Sequence, residues 1–122
     1  LCRNIAAGLC EKYGFSHAAL TVRRSISAFD NRIWGLVYNA KSGECAFSRR
    51  YDVHIVDRVG GGDAFAAGYI HAALAGMTDA ECASFATAAE ALKHSIEGDA
   101  ALVSAAEVSA LAFGDASGEV KR

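Results

Sequence analysis

Between Tyr51 and Gly68 the chain reads as a strand, a glycine turn and a buried helix with one acid, Asp63, at the joint, where an anion would sit and a proton could be taken. Val53, Ile55 and Val56 supply the β-branched residues of a short strand, and Gly60, Gly61 and Gly62 supply backbone freedom just before a helical pattern begins. Free N–H groups at a helix start, with a macrodipole equivalent to about half a positive charge, form a seat for an anion. A carboxylate beside that seat is intelligible if phosphate is transferred and not merely held. It can take the proton from an attacking hydroxyl while the neighbouring N–H groups stabilise charge on the moving phosphoryl group. Asp63 is then a general base. The competing reading makes Asp63 a helix cap over a permissive glycine turn.

Two familiar phosphate loops fit poorly. Gly60 to Asp63 lacks the Gly-Lys-[Ser/Thr] ending of an NTPase loop and is too short for the dinucleotide pattern. The helix that follows carries Phe65, Ala66, Ala67, Tyr69, Ile70, Ala73 and Leu74, leaving a narrow polar side. It is therefore expected to be surrounded by other elements and to hold Asp63 rigidly.

The run Asp57-Arg-Val-Gly-Gly-Gly-Asp-Ala-Phe resembles the second signature of the ribokinase-like PfkB carbohydrate kinases, Asp-Thr-Thr-Gly-Ala-Gly-Asp-x-Phe. Arg58 and Val59 replace the threonines and Gly61 the alanine. The resemblance implies a three-layer αβα sandwich. It makes Gly60, Gly61 and Gly62 the anion hole and Asp63 the base that deprotonates a sugar hydroxyl. A narrower resemblance, to the subfamily of 2-keto-3-deoxygluconate kinases, is carried by Glu11 to Phe15, Thr21 to Asn31, Phe47 to Asp63 and Ala91 to Asp99. It runs through essentially the whole chain but covers only the C-terminal part of such an enzyme. Residues 1–122 are then the ATP-facing portion of one kinase domain, without the N-terminal substrate-binding portion and its lid.

By the same resemblance Thr21, Arg23 and Ser25 lie beside ATP phosphates, with Arg23 at a position where the family commonly has glycine. Ala86 and Ala89 become candidate adenine-wall residues, although helix packing is the competing use of these alanines. Gly98, in Glu97-Gly98-Asp99, falls near the nucleotide and a monovalent-cation (K+) site to which Asp57 and Val59 also contribute; a surface turn is the alternative. Arg58 could pair with a substrate carboxylate or support the anion hole from outside. The implied cofactors are ATP and Mg2+, and the implied partner is a small sugar acid. Another ribokinase-like sugar or nucleoside kinase, and a noncatalytic nucleotide-binding module, remain alternatives.

Composition bounds these readings. The 122 residues are 52% apolar and 21% charged, which suits one modest core and not two domains. A net charge of −2 gives no broad attraction for nucleic acid, and no apolar run reaches the roughly 18 residues of a spanning helix. Cys2, Cys10, Cys45 and Cys82 form no C-x-x-C pair and suggest reduced thiols in a cytoplasmic protein. His17, His54, His71 and His94 lack metal-ligand spacing and read as structural or surface side chains. Leu1 reads as a boundary inside a longer protein and residues 118–122 as its natural tail, with self-association expected where the missing half would pack.

The elements that must position the joint follow from local signals. Leu1 to Tyr13 predicts a helix stopped by Gly14, followed by a strand ending near Val22. Arg32 to Asn39 and Glu44 to Phe47 predict two strands joined by Lys41-Ser42-Gly43, and a further strand leads to Asp57. Thr78 or Asp79 can cap a second helix, and Ser104 with Glu107 has capping-box spacing for a last one.

Overall fold

The computed structural model describes residues 1–101 and 103–114; the tail expected at 118–122 lies outside them. Helix α1 (Cys2–Tyr13) ends as its sequence predicts: Gly14 takes a left-handed φ of 71° and returns its N–H to the Cys10 carbonyl. Strands β1 (His17–Ser25), β2 (Asp30–Asn39), β3 (Glu44–Phe47) and β4 (Tyr51–His54) follow, then helices α2 (Gly61–Leu74), α3 (Asp79–Lys93) and α4 (Ala105–Phe113).

β2 is the long central strand of an antiparallel sheet. β1 pairs along one edge, and β3 and β4 share the other, β3 opposite Leu36–Asn39 and β4 opposite Asp30–Ile33. β1 runs past Val22 to Ser25 because Arg23, Arg24 and Ser25 find partners in Ile33, Arg32 and Asn31. The β2–β3 turn is built on Asn39, whose side-chain oxygen accepts the N–H groups of Lys41 and Ser42.

Strand alternation sends Ile33, Gly35 and Val37 to one face of the sheet and Trp34 and Leu36 to the other. Ile33 and Val37 pack with Phe85, Ala88 and Leu92 of α3 in the main core. Gly35 permits this close approach, since a Cβ there would strike the Thr87 hydroxyl and lie 2.9 Å from the Phe65 ring. α1 packs on β1 and β2, and its buried Ala6 and Cys10, like Leu36, stand outside that core. α1 therefore covers the opposite face, and the layers run α, β, α.

Helix α3 begins in a capping box, with Thr78 and Glu81 satisfying each other's backbone N–H groups, so Thr78 and not Asp79 is the cap. Ser104 and Glu107 do the same for α4. α2 departs from expectation. It buries Ala64, Phe65, Gly68 and Ala72 but leaves Ile70 57% and Leu74 85% exposed, with Ala66, Ala67 and Ala73 also in solvent. Its packing is chiefly on α3, with a smaller contact on β1, so a side of its apolar surface is bare instead of surrounded. No helix among the described residues is long and apolar enough to cross a membrane.

Candidate active site

β4 ends at His54, and Val56, expected to extend it, is exposed. The chain leaves the sheet because the N–H groups of Val56 and Asp57 donate to the His94 carbonyl, at 2.8 and 3.2 Å, instead of to a strand. This fastens the start of the glycine turn to the end of α3.

The three glycines then serve three different needs. Gly60 is the N-cap of α2 with φ 84°, and a Cβ there would also lie 2.5 Å from the Asp99 carbonyl oxygen. A Cβ at Gly61 would lie 3.1 Å from Cε1 of His94, whereas one at Gly62 would meet nothing within 4 Å. Gly61 donates back to the Arg58 carbonyl and Ala64 opens the helix on the Gly60 carbonyl. Between them the N–H groups of Gly62 and Asp63 have no backbone partner among the described residues. Asp63 occupies the third helical position, exposed, and makes no capping bond. The cap reading of Asp63 is thereby corrected: Gly60 already holds the N-cap, and the carboxylate is left for other work.

Asp57 ties this turn to a distant loop. Its two oxygens accept the N–H groups of Val59 at 3.0 Å and Gly98 at 2.8 Å, and these bonds, aided by the charge of Lys93, hold its carboxyl below the usual range. Asp57, Val59 and Gly98, which the family resemblance groups near a monovalent-cation site, are gathered around one carboxylate. The stretch at Gly98 is an exposed turn, tethered where the Asp99 carbonyl packs on Gly60. Arg58 is exposed, and its carbonyl anchors Gly61.

Thr21 and Arg23, on the face of β1 that meets α3, run into a polar cluster. The Thr21 hydroxyl donates to Oε2 of Glu90 at 2.6 Å. Arg23 Nη2 lies 2.9 Å from Nε2 of His94 and 3.8 Å from Oε1 of Glu90. His94 Nδ1 lies 2.7 Å from the Glu90 carbonyl, which can only accept, so Nδ1 carries the proton and Nε2 accepts from Arg23. Burial pushes the Glu90 carboxyl up, opposed by Thr21 and Arg23. Burial pushes the His94 imidazole down, opposed by its bond to the Glu90 carbonyl and reinforced by the charges of Arg23, Lys93 and Arg58. Sequence reasoning missed Glu90 as a site residue and took His94 for a structural or surface residue. The available signal was two polar side chains at i, i+4 in an otherwise alanine-rich helix. Ser25 ends β1 in an exposed position opposite Asn31, whose amide is fully buried with neither polar atom partnered among the described residues.

The two alanines separate. Ala86 is fully buried, its Cα 3.0 Å from where a Gly68 Cβ would stand, so helix packing occupies the surface proposed for adenine. Ala89 also packs there but borders a cavity of about 200 Å³ lined by Ala64, His71, Phe85, Ser104 and Val108. All four cysteines are free, and no three His, Cys, Asp or Glu side chains among the described residues cluster as metal ligands.

Known structures share this fold. A 2-dehydro-3-deoxygluconokinase from Thermotoga maritima superposes with a TM-score of 0.87 at 42% identity, over 93% of this chain and 34% of that one. A PfkB family carbohydrate kinase from Listeria grayi superposes with a TM-score of 0.80 at 37% identity, over 86% of this chain and 33% of that one. The chain thus spans about a third of the length of each. No curated protein sequence matches it. The ribokinase-like fold is therefore shared, and the model of the pfkB family carbohydrate kinases matches residues 35–105, from the middle of β2 to the first residue of α4. The chain belongs to the pfkB family of carbohydrate kinases.

Proposed function

We propose that residues 1–122 form the nucleotide-facing, phosphoryl-transferring portion of a cytoplasmic sugar-acid kinase, which moves the γ-phosphoryl group of ATP to the 6-hydroxyl of 2-keto-3-deoxygluconate. The observation that carries the reading is the joint at Gly60 to Asp63, where two unpartnered N–H groups and an uncommitted carboxylate share one exposed helix start. The name of the Thermotoga maritima structure supports the choice of substrate.

The residues fit the groups such a reaction needs. Gly62 and Asp63 offer N–H donors and the positive end of α2 to phosphate oxygens, with no side chain at Gly62 to block approach. Asp63 accepts the proton of the attacking hydroxyl. Thr21, Arg23 and Ser25 face the nucleotide from β1, and Arg58, exposed beside the turn, pairs with the substrate carboxylate. ATP would supply the phosphoryl group, and Mg2+ arriving with it would offset phosphate charge, an ion that needs few protein ligands. Asp57, Val59 and Gly98 shape the seat of a monovalent cation such as K+.

A panel of neutral sugars and sugar acids, assayed with ATP and the full-length protein, tests the proposal. Turnover confined to sugar acids, with Arg58→Ala harming them more than neutral sugars, is the expected result. Nucleotide binding without any phosphorylated product would instead favour a noncatalytic module.

A further inference from the structure

His94 connects three parts of the site at once. Its carbonyl accepts the N–H groups that begin the glycine turn, its ring abuts Gly61, and its Nε2 lone pair receives Arg23. The Arg23 side chain is 33% exposed, so it is held through Nη2 without being sealed from solvent. A Cβ at Gly61 would stand 3.6 Å from the same Nε2 atom, so one imidazole ring separates Arg23 from the turn.

We propose that His94 is a positioning residue: its neutral ring, locked by the Glu90 carbonyl, holds the Arg23 guanidinium beside the glycine turn, where it meets the phosphate chain of the nucleotide. This rests on the kinase reading of the same site. The tautomer follows from geometry, because the Glu90 carbonyl can only accept and Arg23 can only donate. Arginine binds phosphate well through its planar fork, but a long side chain on an edge strand loses rotamer entropy each time it is recruited. A buried acceptor removes much of that loss in advance. The Glu90 carboxylate, 3.8 Å from Arg23, adds charge balance while its other oxygen takes the Thr21 hydroxyl.

The test is a double-mutant cycle on ATP affinity in the full-length protein, with kcat and KM measured on the same samples. His94→Phe keeps a ring against Gly61 but removes the acceptor, and is expected to weaken ATP binding about tenfold with a smaller change in kcat. His94→Gln restores an acceptor oxygen and is expected to recover most of that loss. In an Arg23→Ala background His94→Phe should cost nothing further. Equal losses from His94→Phe with and without Arg23 would overturn the proposal, as would unchanged affinity in His94→Phe. Should His94→Phe fail to fold, His94→Gln decides: an affinity as poor as that of Arg23→Ala overturns the proposal. A protein that binds ATP but phosphorylates no sugar would sink the kinase reading while these affinities still decide the role of His94. Normal sugar-acid turnover with an indifferent His94→Phe would do the reverse.

Discussion

The carboxylate of Asp57 reaches across 41 residues of sequence to accept the Gly98 N–H at 2.8 Å, while its other oxygen accepts the N–H of Val59. One side chain therefore sets the distance between the glycine turn and the 97–99 loop. In the full-length protein Asp57→Ala should cut turnover by about 10²-fold, because small displacements of a reacting site are that costly. Since its pKa is lower folded than the unfolded value of about 3.9, the carboxylate's contribution to stability is fully present above that value. It is lost as pH falls through the folded value. Unfolding curves of wild type and Asp57→Asn should differ at neutral pH and converge in acid; a gap independent of pH would reject the assigned bonds.

The glycine turn predicts a graded series. Gly60→Ala combines a left-handed φ with a 2.5 Å approach to the Asp99 carbonyl and should destabilise by about 1–3 kcal/mol. Gly61→Ala, pressed on the His94 ring at 3.1 Å, should cost about 1 kcal/mol. Gly62→Ala has open space and should stabilise α2 by about 0.5–1 kcal/mol while lowering activity, because its methyl enters the approach to the free N–H groups. Denaturant titrations beside turnover assays separate the three. Full activity in Gly62→Ala would place the anion elsewhere.

What could be read from sequence and what could not divide by range. Gly14, the Thr78–Glu81 box and the Ser104–Glu107 box act within four residues, so the sequence carries them whole. Glu90 and His94 lie 69 and 71 residues from Thr21 and Arg23, and no local pattern announces a partner at that distance. Ala86 was ambiguous for another reason, since a small side chain suits a ligand wall and a helix contact equally, and only the position of Gly68 decides. The apolar pattern of α2 was read correctly, but encirclement is not met within the described residues, where Ile70 and Leu74 stay exposed.

Asp63 gives the sharpest test of chemistry. It neither caps α2 nor lies buried, so its removal should leave the fold intact. Loss of a general base commonly costs about 10²–10⁴-fold, and Asp63→Asn in the full-length protein should lose turnover to that degree while retaining ATP affinity. Near-normal turnover would remove the residue from the mechanism.

The bare side of α2 bears on the 122-residue chain by itself. Ile70 and Leu74, at i, i+4, are 57% and 85% exposed beside exposed Ala66, Ala67 and Ala73, a stripe wide enough to seek cover. Covering one such side chain is worth about 1.5–3 kcal/mol, so residues 1–122 should self-associate at micromolar concentration. They should also be inactive, because a phosphate seat without a positioned acceptor hydroxyl forgoes the proximity effect on which transfer depends. Ile70→Lys with Leu74→Lys should yield a monomer by sedimentation without restoring turnover. A monodisperse wild-type chain with the activity of the full-length protein would refute both expectations and require the acceptor site to lie within these residues.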